Sequence, residues 1–299
     1  MKKTSHARAF SLIELSIVIL IIGIIIAGVT QGSRLVRQFK IQSAQTITKS
    51  SPVASIRGLT LWLEPTLEES FAKEDGTEQT VDDFPVSQWN DINPQSSTKY
   101  FAVRDGDENI VYKDKDGPGG LPSLYFAGQA GANALTLAID SAGATKVGLN
   151  NNAFSYFIVS NRTLDNAAAR NYAFVNGPWL YGLESGAFYV AFDISYFSLP
   201  SNTNLPIISD VTYAGGVNGV VHGYGNGVSL LPDGGRSYTE TIPTNTDELF
   251  YIGDNGETTG FPWVGYISEI IIYDRALKKE ERQSVEDYLA KKYSIKITR

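Results

Sequence analysis

Glu14 is the only ionisable side chain between Phe10 and Val29, a run of twenty residues otherwise built from Leu, Ile, Val, Ala, Gly, Ser and Phe. An ionised carboxylate there costs on the order of 2–3 kcal/mol in a bilayer unless a cation meets it. A cut between Ala9 and Phe10 would supply that cation, because the new terminal amine would lie four positions before Glu14 on the same helical face. The first-turn helix dipole favours the same carboxylate. Within one molecule such a pair is local; between molecules it would set axial register.

The other residues with chemical potential lie beyond Gly58. Glu269 and Asp274 are the nearest approach to a catalytic carboxylate pair, but five positions along a strand turn them to opposite faces. Trp89, Trp179 and Trp263 could stack on sugar rings, whereas Trp62 alternates with Leu61 and Leu63 as a core residue does. Two loops, Asp105-Gly-Asp107-Glu108-Asn109 and Asp114-Lys-Asp116-Gly117, carry the oxygen donors a Ca²⁺ site needs, although their plainer reading is acidic hairpin turns. With no cysteine there is neither a disulfide framework nor a thiolate metal site. Of the two histidines, His6 precedes the proposed cut, and His222 sits in Val220-Val221-His222-Gly223-Tyr224 as an outward strand residue. One histidine supports neither a His-based zinc site nor a catalytic triad.

The apolar run is long enough to cross a bilayer as a helix. No small-residue cleavage pattern follows it, so it is expected to stay in the mature chain. Val29, Gly32, Val36, Phe39, Ser43 and Ile47 carry the helical period past the bilayer. A helix from Phe10 to Ser50 would be roughly 60 Å long. Ser50-Ser51-Pro52 should stop it, since the residue before proline is forced out of the α region. The expected divisions are a leader over 1–9, a transmembrane and assembly helix over 10–50, a linker over 51–57 and a head over 58–299. Arg57 and the residues before it hold eight of the 25 basic residues and one of the 32 acids, so the head is strongly acidic and no nucleic acid is expected as a partner.

Beyond Gly58 the pattern becomes short Val, Ile, Tyr, Phe and Trp runs separated by Gly, Asn, Asp and Pro. Strands are expected at Leu59 to Leu63, Lys99 to Val103, Leu124 to Phe126, Ala134 to Ile139, Phe154 to Ser160, Tyr172 to Val175, Ala187 to Phe192, Gly219 to Gly223, Leu249 to Ile252 and Trp263 to Tyr273. Ten or more antiparallel strands favour two packed sheets. Leu277, Val285, Leu289 and Tyr293 then mark one closing helix. The fold class is thus a long N-terminal α-helix followed by an all-β jelly-roll sandwich and a short C-terminal helix.

The start, a short basic leader, Ala9, Phe10, then Ser-Leu-Ile-Glu14 and an unbroken apolar run, resembles the class III leader of type IV prepilins and pseudopilins. The resemblance implies a prepilin peptidase that cuts after Ala9 and methylates the Phe10 amine, with Glu14 guiding subunit docking. The partners it implies are other pilin subunits and an inner-membrane assembly platform. It implies a single-pass inner-membrane protein with a cytoplasmic N-terminus, assembled afterwards into a surface pilus or periplasmic pseudopilus. Ala9 stands where Gly is usual.

A second resemblance, to laminin-G-like domains of the concanavalin A-like superfamily, rests on Gly265-Tyr-Ile-Ser-Glu-Ile-Ile-Ile-Tyr-Asp-Arg-Ala-Leu277, Tyr288-Leu-Ala-Lys-Lys-Tyr293 and, upstream, Leu59-Thr-Leu-Trp62 and Trp89-Asn-Asp91. It implies a lectin-like head binding a glycan or surface protein, with Ca²⁺ as a candidate ion. The alternating Glu-x-Asp-x-x-Glu pattern of that superfamily's glycoside hydrolases is absent, so no enzymatic activity is expected. The rival readings are a minor pilin or type II secretion pseudopilin with a tip recognition module and, further off, a membrane-tethered glycan-active enzyme.

Overall fold

A computed structural model describes residues 12–71, 81–105, 110–128, 134–139, 153–163, 171–176, 179–184, 187–191, 196–197, 205–216, 219–230, 236–237, 249–254 and 261–299. The chain divides into two compact units, Met1–Ser43 and Ala44–Arg299. Helix α1 spans Leu12–Lys49 without a break. It ends where the sequence says it must: Ser51 N donates to Thr48 O at 3.1 Å, and Pro52 then opens a short 3-10 turn over Val53–Ser55. From Leu12 to Ile26 the large apolar side chains of α1 are exposed, and the helix carries an 18-residue window of mean hydropathy 2.9.

The second unit is a sandwich whose two sheets hold ten and eight strands among the described residues, every named strand pairing antiparallel. In the larger sheet, Val264–Tyr273 lies between Phe154–Arg162 on one side and, on the other, Ser123–Ala127 and Leu59–Leu63 placed end to end. Both faces of this sheet are covered, which explains the continuous apolar strands. Leu61, Leu63, Tyr156, Ile158, Ile270 and Ile272 point between the sheets. Trp62, Phe157, Val159, Ile271 and Tyr273 point outward into a second core.

Helix α2, Lys279–Tyr293, fills that outer core with Val285, Tyr288, Leu289 and Tyr293. It stops at Ser294, whose φ of 54° turns the chain so that Ile295 N reaches Ala290 O at 3.0 Å. Ala44 and Thr48, in the last turns of α1, are buried in the same unit, and Gln45 Nε2 donates to Thr66 O at 2.8 Å. Within the 51–57 stretch, Val53 and Ile56 are buried in the outer core, and Tyr273 OH donates to Val53 O at 3.1 Å.

At the start of α2, Arg275 grips Glu281 bidentately, Nη2 to Oε1 at 2.7 Å and Nη1 to Oε2 at 2.9 Å, while Lys278 N donates to Oε2. The Arg275 hydrogen bonds, then the Lys278 N–H and the Arg275 charge, bring the Glu281 carboxyl down to about 2 against the opposing pull of burial. A group lowered on folding stabilises above its unfolded value, about 4.3, and loses that contribution as pH falls through its folded one. Glu281→Gln should therefore lower the melting temperature above about pH 4.5, the gap to the parent closing toward pH 2. Paired melting curves across pH 2–7 check this.

Candidate functional site

Glu14 lies in the first turn of α1, flanked by exposed Leu12, Ile13, Leu15 and Ile17. A helix so apolar and unburied calls for a lipid or helix-packed surrounding. Ala9 and Phe10 lie outside the described residues.

Among the described residues the head holds two buried ionic groups, and of their members the sequence singled out only Glu269, as a catalytic candidate. In the first, Lys292 Nζ lies 2.7 Å from Glu64 Oε2 and 2.8 Å from Glu269 Oε2, all three side chains being fully buried. Glu269 also accepts from Trp62 Nε1 at 2.8 Å, Tyr288 OH at 2.7 Å and Tyr293 OH at 2.9 Å. Glu64 accepts from Thr66 N, Thr66 Oγ1, Leu67 N and Ser70 Oγ at 2.6–3.1 Å. Because Tyr288 gives its proton to Glu269, the 3.3 Å contact with Thr48 Oγ1 has Thr48 as donor. The network thus joins α2, two strands of the larger sheet and the end of α1.

An irregularity in the strand places Glu269 there. The register of Val264–Tyr273 against Phe154–Arg162 shifts between Ile267 and Glu269, so Ser268 is an extra residue and the alternation resets. Ile267 points into the inner core and Glu269 into the outer one. Burial acts to raise the Glu64 carboxyl, but the Lys292 charge and the hydrogen bonds from Lys292 and Thr66 hold it below the ordinary value. Burial likewise opposes the Lys292 charge, and the two carboxylates outweigh it.

In the second group, Arg282 Nη1 pairs with Asp210 Oδ2 at 3.4 Å and with Glu286 Oε1, and the guanidinium lies 3.5 Å over the Tyr224 ring. Burial and the neighbouring Glu286 push Asp210 well above the usual carboxylate range, Arg282 compensating only in part. Asp210 interrupts Ile207–Tyr213, a wholly buried strand absent from the sequence expectation because Ser209, Asp210 and Thr212 break its apolar run.

The sugar-stacking reading is corrected for two tryptophans. Trp89 and Trp263 are 0% and 1% exposed. Trp89 donates Nε1 to Glu64 O at 3.0 Å and stacks on Phe71, so it offers no ring face to a ligand. Trp179 lies in the strand Trp179–Glu184, its side chain outside the described residues. Asp91 accepts from Trp62 N at 2.9 Å, tying Trp89-Asn-Asp91 to Leu59–Leu63.

Of the acidic loops, Asp107 and the side chain of Asp105 are outside the described residues. Asp114 is buried and its N–H donates to Asp82 Oδ1 at 3.0 Å, while Asp116 is exposed. Lys113 pairs with Asp83, and that hydrogen bond, the largest cause, together with the charges of Asp83, Asp82 and Asp116 raises its ammonium above the ordinary value. Among the described residues no group of three or more His, Asp or Glu side chains is arranged to hold a metal ion. His222 lines an outer cleft beside Arg282, and Glu269 is engaged by Lys292 rather than by Asp274.

Residues 4–30 match the prokaryotic N-terminal methylation motif, so the chain carries a prepilin-type leader and helix. No curated protein sequence matches the chain. Among solved structures it is similar to Trypanosoma rangeli sialidase in complex with sialic acid, at 14% identity and TM-score 0.46, over 79% of this chain and 33% of that one. It is also similar to domain 4 of an extracellular arabinanase from Geobacillus stearothermophilus in complex with arabinotriose, at 16% identity and TM-score 0.42, over 77% and 98%. A third is the receptor-binding domain of a botulinum neurotoxin C/D mosaic serotype, at 12% identity and TM-score 0.47, over 77% and 51%. The chain thus spans about a third of the sialidase and half of the neurotoxin domain.

Proposed function

We propose that the chain is a type IV pilin-like filament subunit whose leader is removed after Ala9 by a prepilin peptidase, whose Phe10 is then N-methylated, and whose helix α1 assembles with copies of itself or related subunits. The carrying observation is the methylation motif over residues 4–30, running into an exposed apolar helix with Glu14 in its first turn. The chain sits in the inner membrane through α1 until an assembly platform draws it into a pilus or pseudopilus. Its head displays a binding surface for adhesion or recognition of a glycan or surface protein.

The head acts by binding and not by catalysis. In support, two carboxylate pairs among the described residues, Glu64 with Glu269 and Asp210 with Glu286, are buried and each is bridged by a cation, Lys292 or Arg282. Such groups are spent on structure.

Mass spectrometry of the mature protein tests the assignment. The expected N-terminal peptide begins at Phe10 with one added methyl group; a mature chain that still begins at Met1 overturns it.

A further inference from the structure

A cleft of about 700 Å³ lies on the outer face of the larger sheet, between the start of α2, the edge hairpin Val220–Gly225 with Val228–Ser229, and the tail at Thr298 and Arg299. Its volume suits a ligand of a few hundred daltons, two or three sugar rings. Lys279, Arg282, Arg299 and His222 all line it. Three of these are cations, Lys279 and Arg299 exposed and Arg282 buried, on a head in which acids far outnumber bases, while burial and the Arg282 charge push the His222 imidazole down and leave it a neutral hydrogen-bonding group.

The cleft is built before any ligand arrives. Arg282 is held from beneath by Asp210 and Glu286 and from the side by the Tyr224 ring, so its fork cannot swing away. Arg299 is anchored by Asp287 Oδ1 at 2.7 Å and Gln283 O at 2.8 Å. The tail that carries Arg299 is pinned to the hairpin turn: Thr298 N donates to Asn226 O at 2.9 Å. Asn226 and Gly227 both adopt positive φ, and a Cβ on Gly227 would come within 2.5 Å of Thr298 O. Fixed donors lose little freedom on binding, which is where affinity for small polar ligands is commonly lost.

The rest of the lining decides the ligand class. Thr212, Ser229, Thr298 and Tyr224 present hydroxyl groups and Gln283 an amide, against only Leu277 and Val228 as large apolar side chains. Hydroxyls and amides beside guanidinium groups match a ligand that is itself rich in hydroxyls and carries carboxylates. A peptide would need apolar recesses for its side chains, and a long polyanion would run out onto the acidic surface.

We propose that this cleft binds a short oligosaccharide bearing carboxylate groups. The proposal rests on the binding-head reading above and gives that head a site and a ligand class.

The test is calorimetric titration of the full chain in detergent micelles with tri-galacturonate and with 3′-sialyllactose, using galactotriose and tetra-glutamate as controls. At least one acidic sugar should bind, at least tenfold more tightly than galactotriose or tetra-glutamate. Arg282→Ala removes a cation bonded to two buried acids and invites misfolding, so Lys279→Ser/Arg299→Ser is the informative variant. It changes two exposed side chains and should weaken the acidic sugar at least tenfold, while the loss of the Arg299 pairs with Asp287 and Glu286 lowers the melting temperature by no more than a few degrees. The proposal is overturned if neither acidic sugar binds, if galactotriose or tetra-glutamate binds as well, or if the double variant binds undiminished. Binding of another glycan that ignores the double variant would leave a binding head standing and remove this site, and the Phe10 mass measurement tests the filament assignment independently.

Discussion

Glu14→Ala is expected to leave the protein cleaved and membrane-bound yet reduce assembled filaments at least tenfold. The charge argument is specific: a carboxylate in an apolar helix costs on the order of 2–3 kcal/mol or more unless paired, so it is kept for what it pairs with. With Ala at this position the helix should insert more readily, and, on the filament assignment proposed above, the terminal amine of a docking neighbour would lose the anion that sets its register. Glu14→Gln separates charge from shape, since it replaces the carboxylate with an uncharged amide of nearly the same size that still hydrogen-bonds, and it should fail as Glu14→Ala does. Immunoblots of the sheared surface fraction against the membrane fraction provide the measurement. Normal filament yield from either variant sinks the pairing argument.

Lys292→Met should have the largest effect on the head, a loss of about 3–5 kcal/mol, because it leaves Glu64 and Glu269 buried with no cation between them. The figure reflects stranded charge more than the worth of the ion pair itself. Adding Glu64→Gln and Glu269→Gln to Lys292→Met should therefore recover some of the loss, even though three native residues are then missing. All four tryptophans belong to the head, so fluorescence-monitored urea unfolding of the full chain in micelles reports on this unit alone. A Lys292→Met midpoint equal to the parent's would show that the network contributes nothing.

The long helix and its stop were legible because each depends on local chemistry: an apolar run, then a proline at position 52 preceded by two serines. Strands such as Phe154–Arg162 and Val264–Tyr273 were legible because both their faces are apolar, a pattern that needs cover on both sides. Ile207–Tyr213 was not, since the partner that makes Asp210 tolerable in a buried strand, Arg282, lies 72 residues away.

The position of Glu269 was equally hidden. Strict alternation would send it inward with Ile267, and only the extra residue at Ser268 turns it toward Lys292. The tryptophans misled for a related reason: an indole suited to a sugar is also suited to a core, and the Trp89 Nε1 finds its acceptor in a backbone carbonyl 25 residues earlier. Lone charges inside apolar patterns, Glu269 among isoleucines and Lys292 beside Tyr288 and Tyr293, were the available sign that a buried ionic group existed.

The Thr48 hydroxyl hands the end of α1 to Tyr288, and through Tyr288 to Glu269 in the middle of the longest strand. Opening the outer core at this end therefore means parting the last turn of α1, α2 and the Val264–Tyr273 strand together, so their amide hydrogens should exchange as one cooperative block rather than fraying separately.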